Sequence, residues 1–393
     1  MALPISNAMR SLELPSTFYF ESGRKTNQEK LLSDSLKNAS KTLSEVQSGL
    51  YRWFGIGETL IGGGSSRAIL DHLYFESPLK MRDFDIFAVA NRQVDTILAE
   101  AIGRTLESET LGEFSAKDLR PRPRVNPQLP EDDGKNYIAG YGFFWKQKAT
   151  EVDLSLFHSW SDLELNGILD VDTIMIRVPA HSSLSEVAAA ILESPSYGAA
   201  KQKGLIYDRF DGYSSWCLKK PQVVHWEELS RDPVQASIRI VRAHVKMGVY
   251  SLQNSLIQRL VSNIHQEKRL NRLQVVRNFL KVLGDPTAAI ELKILEQLGV
   301  FDVWAPFLGA VINRFSEVEL NHVFSECSPI NPRTALNRFF SLLRLIGPLQ
   351  QEALLTDLSL AEPVLALQMK SNLADLQQVP KNREVGALEE LVV

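Results

Sequence analysis

The chain has 393 residues, enough for two to four domains of roughly 100–200 residues each. Hydrophobic residues make up 44% and charged residues 23%, with a net charge of −4, which is ordinary globular usage. Two distant cysteines, Cys217 and Cys327, exclude a disulfide framework and a cysteine zinc site, and we expect a reducing cytoplasmic setting. No apolar run approaches the roughly 20 residues of a membrane helix, and we expect no signal peptide.

The first half of the chain alternates between the apolar patterns of helix and strand. Helical spacing covers 28–54 and 93–111, and a strand at 60–61 leads through a glycine turn into a helix at 68–74. The other strands are predicted at 83–89, 137–146 and 150–157, the last two as a hairpin.

From about residue 183 the chain becomes mostly helical. Apolar residues at three- and four-residue spacing predict helices at 183–192, 232–250, 252–265, 270–283 and 288–298. We therefore predict an α+β fold, with a small mixed-sheet head followed by an all-α neck and body. The predicted segments are an N-terminal segment and helix at 1–54, the head at 55–182, the neck at 183–265 and the helical body at 266–393.

The glycine turn between the first strand and its helix is a candidate phosphate site. Its residues are Gly63, Gly64, Ser65, Ser66 and Arg67. Backbone N–H groups in such a turn, beside a helix N-terminus, cradle phosphate oxygens, and glycine lets the backbone approach closely. Many glycine-rich turns are purely structural, so the turn needs support from other residues.

Carboxylates on two predicted strands supply that support. Asp83 and Asp85 lie two apart and therefore project from one face of their strand, where a cation between them relieves their repulsion. Oxygen ligands of this kind suit Mg²⁺. Asp153 on a later strand completes a two-metal site for phosphoryl transfer, and Glu151 on the same face competes for that role. A solvated strand end is the structural alternative for Asp83 and Asp85.

In this order, the glycine turn, a helix, Asp83-Phe84-Asp85 and a later strand aspartate resemble the DNA polymerase β-type nucleotidyltransferase superfamily. Within it, the chain resembles the class II tRNA nucleotidyltransferase (CCA-adding) and bacterial poly(A) polymerase family, which opens with Gly-Gly-x-Val-Arg-Asp and then Asp-x-Asp. The resemblance implies that the head is a nucleotidyltransferase head and that the glycine turn holds a nucleoside triphosphate. It also implies that Asp83, Asp85 and Asp153 bind Mg²⁺.

The resemblance extends over roughly residues 55–250. The family's Asp-Pro-x-Gly-Gly segment is similar to residues 207–213, and its Glu-Asp-Pro-x-Arg segment is similar to residues 231–235. It implies nucleotide-binding roles for Asp232, Arg239 and Arg242, the two arginines fitting with one inserted residue. A plain helix start also explains Asp232, because aspartate is a good N-cap and Pro233 suits the first helical position.

Two family segments depart from the pattern at positions that read the incoming base. The segment similar to Arg-Arg-Asp-Phe-Thr-Ile-Asn-Ala, at 169–176, lacks both arginines and the asparagine. In the second segment Arg231 replaces the glutamate and Gln235 replaces the arginine. The choice of nucleotide, CTP and ATP included, therefore stays open, whereas the predicted metal ligands are unaffected.

A one-sided charge distribution points to RNA. Between Arg239 and Lys281 the chain has nine basic residues and one acidic residue, Glu267, which suggests a surface that meets phosphates. The candidate RNA contacts are Lys246, Arg259, Lys268, Arg269, Arg272 and Arg277. Smaller basic clusters include Lys201 and Lys203. Solvated helix faces are the alternative, and RNA binding predicts an affinity that falls steeply with added salt.

The leading hypothesis is a metal-dependent enzyme that adds nucleotides from NTP to an RNA 3′ end, tRNA or another RNA, and releases pyrophosphate. No membrane partner is expected. One alternative keeps the chemistry but transfers the nucleotide to a protein or a small molecule. Another is a non-catalytic RNA-binding relative of the same fold.

Overall fold

A computed structural model of the chain describes most of its residues. The described residues are 34–79, 83–89, 114–118, 139–145, 150–157, 160–164, 167–267, 270–325 and 334–361, with 363, 366, 367, 369 and 370. The chain forms two compact units that divide between Ser215 and Trp216. Strands lie in the first unit, and the described part of the second unit is helical. The predicted α+β class is thus confirmed.

The first unit is built on a seven-stranded mixed sheet. Its strands are β1 Thr59–Ile61, β2 Asp83–Val89, β3 Phe114–Asp118, β4 Ala139–Trp145, β5 Thr150–Phe157, β6 Met175–Val178 and β7 Ile206–Tyr207. Their order across the sheet is β3-β4-β5-β2-β1-β6-β7. β2 and β5 run parallel, and the other neighbouring pairs run antiparallel. The predicted hairpin is the β4–β5 pair.

Helices complete the first unit. They are α1 Asp34–Phe54, α2 Gly63–Phe75, α3 Trp160–Glu164, α4 Leu184–Leu192, α5 Tyr197–Gln202 and α6 Gly212–Leu218, the last spanning the division between the units. The start of α4 is fixed by a capping box. The hydroxyl of Ser183 accepts from the Glu186 N–H, and the Glu186 carboxylate accepts from the Ser183 N–H. Two of the free N–H donors at this helix start are thereby satisfied.

The second unit consists of helices packed on an aromatic core. They are α7 Trp226–Arg231, α8 Pro233–Lys246, α9 Asn254–Ile264, α10 Arg272–Gly284, α11 Ala288–Gln297, α12 Val300–Trp304, α13 Pro306–Arg314, α14 Glu317–Ser325, α15 Thr334–Arg344 and α16 Pro348–Ala361. Phe279 makes edge contacts with Phe301, Trp304 and Phe339, and all four rings are buried. No helix in the described part of the chain is long and apolar enough to span a membrane.

The strands missed by the sequence analysis are β3, β6 and β7. The sequence pattern could not reveal β6 and β7 because runs of four and two residues are too short to show a period. Residues 183–215, predicted as part of the neck, fold within the first unit. The helix predicted at 93–111 lies outside the described residues, and the four-part division of the chain stays a prediction.

Candidate active site

The glycine turn is joined to β2 at Asp85. The Gly62 N–H donates to the Asp85 carbonyl at 3.1 Å, and the Asp85 N–H donates to the Ser65 hydroxyl at 3.3 Å. Gly62 is the N-cap of α2 and adopts an extended conformation. These bonds hold the N-terminus of α2, with its outward-facing amide groups, beside the residue predicted to bind metal.

Glycine is required at position 63 for two reasons, its backbone conformation and the close approach of Asp85. Its φ of +57° lies in the left-handed region, and a Cβ there would collide with the Asp85 carboxylate, 3.1 Å from its Cγ. A Cβ on Gly64 would meet nothing within 4 Å. The Asp85 carboxylate therefore lies directly against the backbone of the turn, in a space that glycine leaves open.

Gly63→Ala is expected to destabilise the first unit, whereas Gly64→Ala is not. A left-handed alanine and a displaced Asp85 carboxylate together cost about 1–2 kcal/mol. Thermal unfolding followed by circular dichroism should show a midpoint about 2–8 °C lower for Gly63→Ala. Equal midpoints for the two variants would contradict this account of the turn.

The strand register brings the predicted carboxylate positions together. In the parallel β2–β5 pair, Asp83 is the register partner of Glu151 and Asp85 is the register partner of Asp153. Parallel neighbours lie about 4.8 Å apart. Asp85 is half-buried, and the side chains of Asp83, Glu151 and Asp153 lie outside the described residues. At the level of the backbone, the candidate metal ligands occupy adjacent positions on two strands next to the glycine turn.

A carboxylate-only donor set of this kind fits Mg²⁺, which prefers oxygen ligands. Among the side chains that the structure describes, no group of three His, Cys, Asp or Glu residues is placed to hold a metal ion. The side chains of Asp83, Glu151 and Asp153 are not among those described, so the fit to Mg²⁺ rests on the backbone register and on the position of Asp85.

Ser66 and Arg67, predicted to contact phosphate, fasten the turn to the rest of the head. Ser66 is fully buried, and its hydroxyl lies 2.8 Å from the Ile174 carbonyl and 3.0 Å from the Gly63 carbonyl. The Arg67 guanidinium donates to the Val171 carbonyl and pairs with Asp172 at 3.3 Å. Ser65 is also buried. These contacts give the side chains a structural role, and triphosphate binding by Ser65, Ser66 and Arg67 stays a prediction.

Asp208 organises the segment similar to the family's Asp-Pro-x-Gly-Gly. Its buried carboxylate accepts from the Gly212 N–H at 2.7 Å, the Tyr213 N–H at 3.1 Å and the Tyr197 hydroxyl at 2.6 Å. A Cβ on Gly212 would collide with the Asp170 carbonyl group. Asp208 therefore fixes the start of α6, and Gly212 packs α6 against Asp170, next to the Val171 carbonyl that accepts from Arg67. Asp208 had no predicted role, because an N-cap directly precedes its helix and Asp208 lies four residues before Gly212.

Three residues of the second unit were predicted to bind the nucleotide, namely Asp232, Arg239 and Arg242, and each makes different contacts. Asp232 is the N-cap of α8, accepting from the Gln235 N–H at 3.2 Å, with Pro233 at the first helical position. The predicted helix start is thus confirmed. Arg239 makes no ion pair with the described residues. The Arg242 guanidinium, which is partly buried, pairs with Asp285 at 2.8 Å and lies 3.9 Å from Glu291.

Arg242 belongs to a charge cluster around the buried carboxylates of Asp285 and Glu291, with Lys246 on its exposed side. Glu291 is fully buried, and its Oε1 accepts from the Thr287 hydroxyl at 2.8 Å. Lys246 lies 3.4 Å from Asp285. Burial raises the pKa of the Glu291 carboxyl to about 7, against the hydrogen bond from Thr287 and the Arg242 charge, which lower it.

Glu291→Gln is expected to remove a pH dependence of stability. Because the Glu291 pKa rises from 4.5 to about 7 on folding, its contribution to stability is full below pH 4.5 and is lost as pH rises to about 7. The corresponding loss of unfolding free energy is on the order of 3 kcal/mol. Denaturant titrations between pH 4.5 and 8 should show a flatter profile than for Glu317→Gln, an exposed control. Parallel profiles would refute the assignment.

The basic stretch predicted to bind RNA is partly neutralised by later helices. Arg272 makes two hydrogen bonds to the Asp357 carboxylate, at 2.8 and 3.0 Å, and Lys246 pairs with Asp285. Arg259 stacks on Trp226, 3.5 Å from the ring centroid. Arg277 is half-buried. Lys268 and Arg269 lie outside the described residues, and RNA binding by these six side chains stays a prediction.

Comparison with known proteins reveals the fold. No protein-family model matches the chain, and no curated protein matches it. Solved structures do match it. A tRNA-processing enzyme has a TM-score of 0.54 at 15% identity, over 87% of this chain and 80% of that chain.

Two further matches were solved with bound molecules. A tRNA nucleotidyltransferase complexed with a primer tRNA and an incoming ATP analog has a TM-score of 0.51 at 15% identity, over 88% of this chain and 91% of that chain. A CCA-adding enzyme with CTP has a TM-score of 0.51 at 12% identity, over 88% of this chain and 71% of that chain. At these identities the comparison establishes a shared fold, and the family resemblance inferred from the motifs is confirmed at that level.

Proposed function

We propose that this chain transfers nucleotides from nucleoside triphosphates to an RNA 3′ end and releases pyrophosphate. The observation that carries the proposal is the Asp85 carboxylate, which lies against the Gly63 turn and in register with Asp153 on the neighbouring parallel strand. Phosphate-cradling amides and acidic residues meet there within one structural unit. The fold shared with tRNA nucleotidyltransferases and CCA-adding enzymes supports the same chemistry.

The candidate residues have different roles in the proposed reaction. Asp83, Asp85 and Asp153 would hold Mg²⁺, which stabilises the charge on the attacking and leaving oxygens of an in-line displacement when bound. Asp153 would also help to deprotonate the 3′-hydroxyl. The turn at Gly63 and Gly64 would orient the triphosphate through backbone N–H groups at the start of α2.

The acceptor is proposed from the neighbouring structures and the charge of the chain. One neighbour was solved with a primer tRNA, and the basic residues of α8 to α10 include Arg239, whose charge is not balanced by a described acid. A tRNA or a similar RNA 3′ end is the acceptor that fits both facts. An RNA-processing role also fits the cytoplasmic setting expected from the two distant cysteines.

The nucleotide is the point at which this chain departs from CCA-adding enzymes. The base-reading arginines of the 169–176 segment are absent, and Arg242 is engaged by Asp285 and Glu291. A site with fewer base-reading groups discriminates less between nucleotides. The absence of these arginines also favours a second candidate function, the transfer of a nucleotide to a protein or a small molecule.

The test is incorporation from each of the four α-labelled NTPs, with Mg²⁺ and either total RNA or tRNA lacking its 3′ end. Label is expected in RNA, and it should be absent with EDTA and in the Asp83→Asn/Asp85→Asn double variant. Label from CTP and ATP would identify CCA addition, and label from one nucleotide would identify a tailing enzyme. Label in protein or metabolites would replace RNA as the acceptor, and no label in any fraction would refute the proposed chemistry.

A further inference from the structure

A cavity lies at the edge of the sheet in the first unit. It has a volume of about 610 Å³, and its lining includes Trp160, Glu164, Arg177, Lys201, Tyr207 and Arg209. Tyr207 belongs to the outermost strand β7, three strands from β2. At about 4.8 Å for each spacing, roughly 14 Å separate that strand from the one that carries Asp85. None of the described lining residues belongs to the glycine turn, β2 or β5, so the cavity has a different lining from the candidate active site.

Two aromatic rings form one wall of the cavity. The Trp160 ring is 6.1 Å from the Tyr207 ring at an angle of 44°, and Trp160 is 40% exposed. Glu164 fixes this wall, because its Oε1 accepts from the Tyr207 hydroxyl and its Oε2 accepts from Arg209. Trp160 and Glu164 lie four residues apart in α3 and therefore share a face of that helix. The wall offers a partly exposed indole held beside a hydrogen-bonded phenol.

The cations that line the cavity differ in whether they make an ion pair. Arg177 pairs with Glu58, and Arg209 pairs with Glu164. The Asp208 carboxylate is buried and accepts its three hydrogen bonds from Gly212, Tyr213 and Tyr197, as described above. Lys201, by contrast, makes no ion pair with the residues that the structure describes. Lys201 is therefore the lining cation that can pair with an anionic group of a ligand.

We propose that this cavity binds a nucleoside monophosphate unit, with the base stacked on Trp160 and the phosphate held by Lys201. Stacking on an indole accepts any base, because every base has a π-face, and it contributes about 1–3 kcal/mol. A lysine ammonium supplies a compact point charge for a phosphate. The unit comes either from a single RNA strand or from a free nucleotide. This site does not depend on the transfer chemistry proposed above.

The experiment measures binding to the full chain, without turnover. The probes are a 5′-labelled hexa-adenylate, followed by fluorescence anisotropy, and AMP, followed by calorimetry. Trp160→Ala and Lys201→Gln are the test variants. Phe75→Ala, an exposed aromatic residue elsewhere in the same unit, and Lys41→Gln, an exposed lysine of α1 outside the lining, are the matched controls. Thermal unfolding establishes that each variant is folded, and Trp160→Phe preserves an aromatic ring.

The Kd for hexa-adenylate is expected to rise about fivefold or more in Trp160→Ala. In Lys201→Gln it should rise about threefold, with the slope of log K against log salt reduced by about 0.7. The controls and Trp160→Phe should stay within about twofold of the parent chain. Weaker binding of AMP as well would identify a site for single nucleotides, and weaker binding of hexa-adenylate alone would identify a site on an RNA strand. Unchanged affinity for both probes in both test variants would overturn the proposal.

Discussion

Asp85→Asn is expected to lower nucleotide incorporation at least about a thousand-fold while leaving the fold intact. The substitution preserves the size of the side chain, so its fit against Gly63 is unchanged. It removes the negative charge that would hold Mg²⁺ against the triphosphate. Several kcal/mol of transition-state stabilisation depend on that charge, and each 1.36 kcal/mol is a factor of ten in rate.

The matched control is Asp302→Asn, the same chemical change at an exposed position of the second unit. It should leave incorporation within about twofold of the parent chain. Circular dichroism and thermal unfolding of the Asp85→Asn chain should coincide with those of the parent, because the amide occupies the same space. Substantial incorporation by a folded Asp85→Asn chain would remove Asp85 from the catalytic site.

The sequence predicted the head well where its elements carry their own periodicity. A strand, glycine turn and helix at residues 60–74, and the strand that begins at Asp83, are all present. The predicted order of motifs also led to the fold that solved structures share. Because such patterns are local, a single sequence suffices to reveal them.

Contacts between residues far apart in the sequence could not be predicted from local patterns. The pairing of Arg67 with Asp172 joins residues 105 positions apart, and that of Arg272 with Asp357 joins residues 85 positions apart. A count of basic residues between Arg239 and Lys281 therefore suggested a more strongly charged surface than the described residues present. Nothing in the local sequence indicates which arginine meets an acid from a later helix.

Arg242 has one role in the family resemblance and a different role in the structure. The resemblance implies a nucleotide contact. In the structure its guanidinium, 13% exposed, satisfies Asp285, which is 6% exposed, and approaches Glu291, which is fully buried. A buried ion pair that loses its sole partner costs about 3–5 kcal/mol, and the cost is smaller here because Lys246 still pairs with Asp285.

Arg242→Met is therefore expected to destabilise the second unit by about 2–3 kcal/mol, because methionine fills space without replacing the charge and Lys246 compensates Asp285 only in part. Arg239→Met on the same helix should change stability by less than about 0.5 kcal/mol. The loss in Arg242→Met should be smaller at pH 5 than at pH 8, since burial raises the pKa of Glu291 and its protonated form needs no cation. An unchanged unfolding free energy with a raised KM for NTP would instead restore Arg242 to the nucleotide site, so denaturant unfolding and steady-state kinetics on one variant decide between the two roles.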